Sequence, residues 1–258
     1  MLGTCTAQRV VGLDTRGRSS WLAELGVISV TDAPFRADPT GREDSTKSIQ
    51  AALDEGYRTN VTVFFPRGTY RVTDTLNCSQ TWSGPWSPPF RTGTHVLVGE
   101  TPREAGGERP SLLLPPDTPG FTDRSAGKIV LFFWHQNPNS ASTQTQPMNN
   151  INQILQGVDI RIGKGNYGAI GIRHRGAQGS AIEDVTIWAE DASVGIVGAA
   201  GGGGAHTNVR VVGGRFGLDL RLAQPAPTVV GASLVNQTCS ALVYAGRGPL
   251  SLTGAQIE

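Results

Sequence analysis

The chain has 258 residues and a formal net charge of +1, which removes any whole-chain argument for a nucleic-acid or anionic-membrane partner. Its 34 glycines and 16 prolines, with only 7% aromatic residues, suit a turn-rich β fold. No run approaches the ~18 apolar residues of a membrane span, and residues 1–30 lack the basic, apolar and small-residue order of a secretion signal.

Residues 1–25 are weakly patterned and read as an N-terminal arm, with one domain over 26–258. Gly26-Val27-Ile28-Ser29-Val30 reads as a strand, followed by a polar loop over 37–45. Asp44 or Ser45 can cap a helix, because their side-chain oxygens accept from the free amides of a first turn. Ile49, Ala52 and Leu53 form one apolar face, and Gly56 is expected to stop the helix. Val61 to Phe65 is the next strand, turned by Pro66-Arg67-Gly68 into Thr69-Tyr70-Arg71-Val72. A helix here would hide the open end of a stack of strands.

Three stretches in this region carry a resemblance: Ala37-Asp38-Pro39-Thr40-Gly41, residues 44–53, and Phe65-Pro66-Arg67-Gly68-Thr69-Tyr70. Together they resemble the N-terminal signature of the pectate-lyase-like superfamily, in the branch shared by family-55 glucanases, phage tail spikes and related bacterial β-helix proteins. The resemblance implies a right-handed, single-stranded parallel β-helix with an N-terminal capping α-helix. It further implies an extracellular or cell-surface protein acting on a polysaccharide or oligosaccharide. The superfold hosts hydrolases, lyases and non-catalytic adhesins, so it implies no single activity.

Residues 78–94 form a proline-rich excursion holding Trp82 and Trp86. Strands follow at 94–99, 111–114 and, strongly apolar, from Ile129 to Trp134; a polar interruption then runs from His135 to Gln153. Loops of this length inside compact repeats are functional or mobile.

From Gly157 the chain is a repeat. Anchors at 158, 185, 209, 232 and 255 step by 27, 24, 23 and 23 residues, each opening a short strand. A second strand begins at 171, 195, 217 and 241. Two strands per unit at this period predict an all-β solenoid with regular coils over 157–258. Val158, Val185, Val209, Ala232 and Ala255 should form one inward ladder, since strand side chains alternate. The last strand opens a new coil at the final residues, so the chain is expected to be the N-terminal part of something longer.

Alternation sends Asp159, Thr186, Arg210, Ser233 and Gln256 into one outward column, with Arg161, Trp188, Val212, Val235 and Glu258 in the next. A tryptophan face packs on a pyranose ring and arginine holds carboxylates or hydroxyls, so Arg161, Trp188 and Arg210 are candidate substrate ligands. Asp159 and Glu190, from different coils, are the candidate catalytic pair, because glycoside hydrolysis uses two carboxyls ~5 to 9.5 Å apart. The competing reading is a solvated strand face with ordinary ion pairs. Arg173 and Arg175 point outward on the second strand and would suit a uronate polymer; His174 between them points inward, and Asp219 could bridge to Arg173.

Several motifs carry no chemistry. Gly163-Lys164-Gly165-Asn166-Tyr167-Gly168 matches a dinucleotide fingerprint but precedes a strand, not a helix, and reads as a turn. Gly201 to Gly204 reads as an inter-coil loop. The three cysteines (Cys5, Cys78, Cys239) imply no disulfide framework, and there is no zinc spacing, calcium cluster or other cofactor motif. The leading expectation is a polysaccharide-degrading glycoside hydrolase, with a lyase or a non-catalytic glycan-binding spike or adhesin as alternatives.

Overall fold

The computed structural model describes residues 25–81, 94–102, 107–136, 150–246 and 248–258. The N-terminal arm, the core of the proline-rich excursion and most of the polar interruption lie outside these residues. Among the described residues every strand pairing is parallel, and successive coils stack into a right-handed parallel β-helix. Each coil carries three strands, where the repeat pattern predicts two. Face A holds Val27–Ser29, Thr62–Phe65, Val96–Gly99, Ile154–Gln156, Thr228–Val230 and Ser251–Thr253. Face B holds Thr40–Asp44, Thr69–Arg71, Ser111–Leu114, Asp159–Ile162, Ser233–Val235 and Gln256–Ile257. Ala181–Glu190 and Ala205–Gly213 are long enough to run through both faces and join them into one sheet. Face C is a separate sheet of Leu76–Thr81, Lys128–Gln136, Ala169–His174, Val194–Val197, Phe216–Asp219 and Ser240–Val243.

The corner between faces A and B is a single residue. Gly157, Asp184, Asn208, Gly231 and Gly254 take φ of 65°, 53°, 52°, 65° and 64°. Only residues that tolerate the left-handed region fill this position, and Asn208 Nδ2 donates to Asp184 Oδ1 in the preceding coil. So short a turn is why the third strand hides from sequence: nothing punctuates it but one residue.

The residue after each corner points inward. Val158, Val185, Val209 and Ala232 are at most 1% exposed and Ala255 is half-buried, in the register the spacing predicts. Facing them, face C reaches its closest approach at glycine. A Cβ on Gly195 would stand 2.5 Å from Val211 Cγ1 and 2.8 Å from the Gly217 carbonyl oxygen; Gly171 and Gly217 meet Ile187 and Leu234 in the same way. The glycine column is therefore set by the thickness of the core, not by backbone angle.

At the N-terminal end a helix spans Thr46–Thr59 and buries Ile49, Ala52, Leu53 and Gly56. It continues past Gly56, contrary to the sequence expectation. A Cβ there would lie 2.5 Å from Val63 Cγ2, so glycine lets the helix seat on the first coils, and Asn60 in the left-handed region ends it. Ser45 sits at the N-cap with its hydroxyl turned to the Asp38 amide, while Asp44 Oδ1 accepts from Thr46 N. Gln50 completes the cap. Its side-chain amide donates to the Asn77 carbonyl (3.0 Å) and accepts from the Asn77 amide (2.8 Å), imitating a neighbouring strand at the edge of face C. Cys78 is buried and Cys239 exposed, both as free thiols.

Substituting Gly195→Ala should cost ~1 to 3 kcal/mol, because the new methyl overlaps both a side chain and a backbone carbonyl. A denaturant titration checks this, and Gly202→Ala, in an inter-coil loop with open space around it, is the comparison for backbone effects alone.

Candidate functional site

Three outward regions carry chemically useful side chains, and face B holds most of those singled out from sequence. Arg161 and Trp188 are paired neighbours in adjacent coils, and the Arg161 guanidinium carbon lies 4.3 Å from the Trp188 ring centroid. One face of the indole is thereby already covered by a cation. Arg210 is exposed and donates to Ser233 Oγ at 2.7 Å. Asp159 departs from its expected outward, solvated position. Its side chain is 8% exposed, its Oδ1 accepts from the Thr186 amide at 2.7 Å, and Arg109 Nη1 stands 3.9 Å away. Burial raises its pKa, against the opposing pull of that amide and of Arg109 and Arg161.

Glu190 is exposed and pairs with Lys164 at 3.1 Å, just past a bulge that interrupts the pairing after Trp188. The structure does not bring Asp159 and Glu190 together. Asp159 is level with Thr186, four residues before Glu190, so ~13 Å of strand separates them at ~3.3 Å per residue. Glu190 instead lines a polar cleft of about 330 Å³ with Asp191, Arg124, Arg215, Thr238 and Cys239, where three successive turns stack. Arg124 and Arg215 lean over Tyr167 and Phe216, at 5.4 and 5.3 Å.

Face C is different in kind. Phe132 and Trp134 stack with centroids 5.4 Å apart and planes 10° from parallel, and Arg173 lies 5.3 Å over Phe132 from the next coil. Arg173 pairs with Phe132 in register and His174 with Phe133, which sets Arg175 level with Trp134. The expected Arg173–Asp219 bridge does not form. Asp219 takes Arg221 in a two-pronged pair at 2.8 and 2.6 Å, because the turn that Asp219 caps carries Arg221 straight back to it. Arg173 Nε, Arg175 Nε and Trp134 Nε1 are all shut from water with no acceptor. Burial lowers the pKa of both guanidiniums, and the Arg173 charge adds to the effect on Arg175. Phe132 and Trp134 escape a sequence reading because their step to the next coil is 173 − 132 = 41 residues, which breaks the 22–24 rhythm.

Beneath this face lies a polar interior. His174 is fully buried, as alternation predicts, with its Nδ1 3.0 Å from His206 Nε2 and its Nε2 3.0 Å from the Gln153 carbonyl oxygen. His174 donates from Nε2 to the Gln153 carbonyl, and His206 Nε2 is shared between His174 Nδ1 and the Ala200 amide, which donates to it at 3.3 Å. Gln153 donates to Asn150 Oδ1, and Asn150 Nδ2 donates to the Arg175 carbonyl. The buried network thus ties directly to the backbone that carries the two arginines. Among the described residues no group of three histidine, cysteine, aspartate or glutamate side chains could hold a metal ion.

Residues 27–84 match the family model described as Rhamnogalacturonase A/epimerase, pectate lyase-like. The match covers the N-terminal stretch whose motifs resemble the pectate-lyase-like superfamily. No curated protein sequence matches the chain. Among solved structures, the chain is similar to an iota-carrageenase complexed to iota-carrageenan fragments, at 12% identity over 81% of this chain and 40% of that one, with a TM-score of 0.41. It is also similar to PfbA, a surface adhesin of Streptococcus pneumoniae, at 12% identity over 90% and 62%, with a TM-score of 0.43. A family GH82 iota-carrageenase from A. fortis gives 11% identity over 80% and 49%, with a TM-score of 0.44. The chain spans between 40% and 62% of the length of these three proteins.

The histidine interior makes a pH prediction. Burial lowers His174 and His95 to about 4 from 6.5, and His206 well below its ordinary value. Depressed folded-state values mean that this stability is complete above the unfolded value of 6.5 and is lost as pH falls from there toward 4. Asp159, raised, works with the opposite sign, and the lowered carboxyls Asp38, Asp44 and Asp219 act only below that window. Tm should fall by on the order of 10 °C between pH 7 and pH 4.5, and His174→Gln should shrink that dependence. A flat Tm over this range would mean that the histidines are not buried neutral.

Proposed function

We propose that this chain is the binding framework of a carbohydrate-active protein, with a polysaccharide or oligosaccharide lying across its coils. The observation that supports this most is the Phe132–Trp134 stack set beside Arg173 and Arg175 on face C. Flat aromatic surface takes the apolar face of a sugar ring, and guanidiniums take its oxygens. Adjacent coils stand ~4.8 Å apart, so one sugar ring spans about one coil and the aromatic and arginine contacts, on two adjacent coils, can meet the same or neighbouring rings. Arg161, Trp188 and Arg210 on face B form the secondary contact surface in this reading. Extracellular or cell-surface residence goes with it.

The enzymatic form of the proposal is a polysaccharide-degrading glycoside hydrolase. Such an enzyme needs one carboxyl held protonated and another ionised. Asp159, with its raised pKa, has the character of the first, and Glu190 is the other candidate carboxyl. Their separation along the strand argues that each would need a different partner.

Trp134→Ala should weaken oligosaccharide binding by ~1 to 3 kcal/mol if the indole is a contact anchor. Trp188→Ala should do less, because Arg161 already occupies one face of that ring. Asp159→Asn should remove reducing-sugar release while leaving binding intact if that carboxyl is catalytic. Binding without turnover in the parent chain would favour the non-catalytic adhesin or spike. A glycan array with no binder would overturn the proposal.

A further inference from the structure

The arginines of face C have no counter-charge. Neither Arg173 nor Arg175 enters an ion pair among the described residues. The carboxylate sharing the Arg173 column is Asp219, two coils away, and both its oxygens are engaged by Arg221. The remaining partner of Arg173 is the Phe132 ring. Two like charges stand two residues apart at one strand end, half-buried, with a nitrogen of each cut off from water and unbonded. Beside them Trp134 Nε1 is a third donor in the same condition. All three lack acceptors, and the carboxylate that shares the Arg173 column is already taken.

A folded chain normally pairs its desolvated charges, since an unpaired one costs stability with nothing in return. Face B comes closer to that rule: Arg210 has Ser233, Glu190 has Lys164 and Asp159 has the Thr186 amide, and only Arg161, like Arg173, rests on a ring alone. Face C breaks it, at the place where two aromatic rings lie exposed enough to be touched. A neutral sugar does not answer this arrangement. Its hydroxyls donate as well as accept and leave both charges uncompensated. A carboxylate or sulfate only accepts, and its paired oxygens match the fork of a guanidinium.

We infer that Arg173 and Arg175 form the anion-binding half of a subsite for an acidic glycan, one bearing carboxylate or sulfate groups, whose sugar ring lies alongside Phe132 and Trp134. This rests on the carbohydrate reading above and narrows it to a class of ligand and to one face of the solenoid. The buried Asn150 contact to the Arg175 carbonyl fixes the strand end that presents the pair, so the subsite is built before the ligand arrives. A phosphate backbone offers the same kind of acceptor, but a net charge of +1 over the chain gives no field to collect a nucleic acid.

Calorimetry on the chain decides, with four probes used in matched pairs: an oligouronate and its methyl ester, and a sulfated galactan oligomer and its desulfated form. Binding should favour the charged member of at least one pair, and which pair responds identifies carboxylate or sulfate as the group recognised. Arg173→Gln and Arg175→Gln should each weaken that binding by roughly 10- to 100-fold, and the double variant should erase the difference between charged and uncharged probes. Arg42→Gln, exposed at the opposite end of the chain, should bind as the parent does. Tm gives the second readout. Removing an uncompensated charge should leave the unliganded variants as stable as the parent or more so, whereas a structural role would lower Tm. Equal binding of charged and uncharged glycans through Trp134 would overturn the anionic subsite and keep the carbohydrate reading. Equal or tighter binding of a single-stranded oligonucleotide would overturn the glycan as ligand. No binding of any probe would overturn both.

Discussion

Every outward column in this protein depends on one sharp corner. A single residue per coil, at 157, 184, 208, 231 and 254, turns the chain between two faces in a left-handed conformation. Were the corner longer by one residue in any coil, the following strand would present its opposite set of side chains, since strand periodicity is two. The core would then meet Asp159 or Arg210 in place of Val158 or Val209. The corner is held by composition, since three of its five residues are glycine, and by the contact of Asn208 with Asp184. It is held from across the core as well. The glycine column at 171, 195 and 217 leaves room only for the branched side chains that the correct register delivers.

Given that frame, satisfaction of polar groups distinguishes the two decorated faces better than residue type does. By residue type face B is the more promising, with two arginines, a tryptophan and two carboxyls. Yet its groups answer one another: the Arg161 charge rests on indole, Asp159 holds a backbone amide, and Glu190 meets a lysine. Such a surface is content in water alone. Face C carries fewer charges, and its two half-buried arginines have donors that nothing receives. The histidine network behind it spends buried hydrogen bonds on holding the Arg175 backbone. Polar interiors are expensive, and this one underlies the face with the unmet donors.

The sequence made part of this legible for identifiable reasons. The inward ladder from Val158 to Ala255 and the burial of His174 follow from period and alternation, and both are where those rules put them. The third strand per coil is invisible because its boundary is one residue wide. Gly56 reads as a helix stop because glycine usually is one, while here the deciding fact is a methyl-sized gap against Val63 that only coordinates reveal. Asp159 obeys alternation in its backbone, but the Thr186 amide of the next coil and Arg109 from a preceding loop draw its carboxyl out of solvent. Phe132 and Trp134 are missed because a long insertion separates their coil from the regular ones, so their alignment with Arg173 and Arg175 needs three-dimensional register.

The same register bears on hydrolysis. On a β-helix two carboxyls come within ~5 to 9.5 Å when they share a column one or two coils apart, or sit two residues along a strand. Asp159 is flanked in its column by Ser111 and Thr186, and next by Thr69 and Arg210, none of them acidic. Asp219 is flanked by Val197 and Val243. Neither carboxyl therefore finds a catalytic partner by stacking on its own face, and Glu190 lies too far along the strand from Asp159 to serve. In the proposed reading the described coils hold a ligand. If the chain also cleaves one, the second carboxyl must come from a turn or loop that projects over a face, because the columns themselves do not supply it.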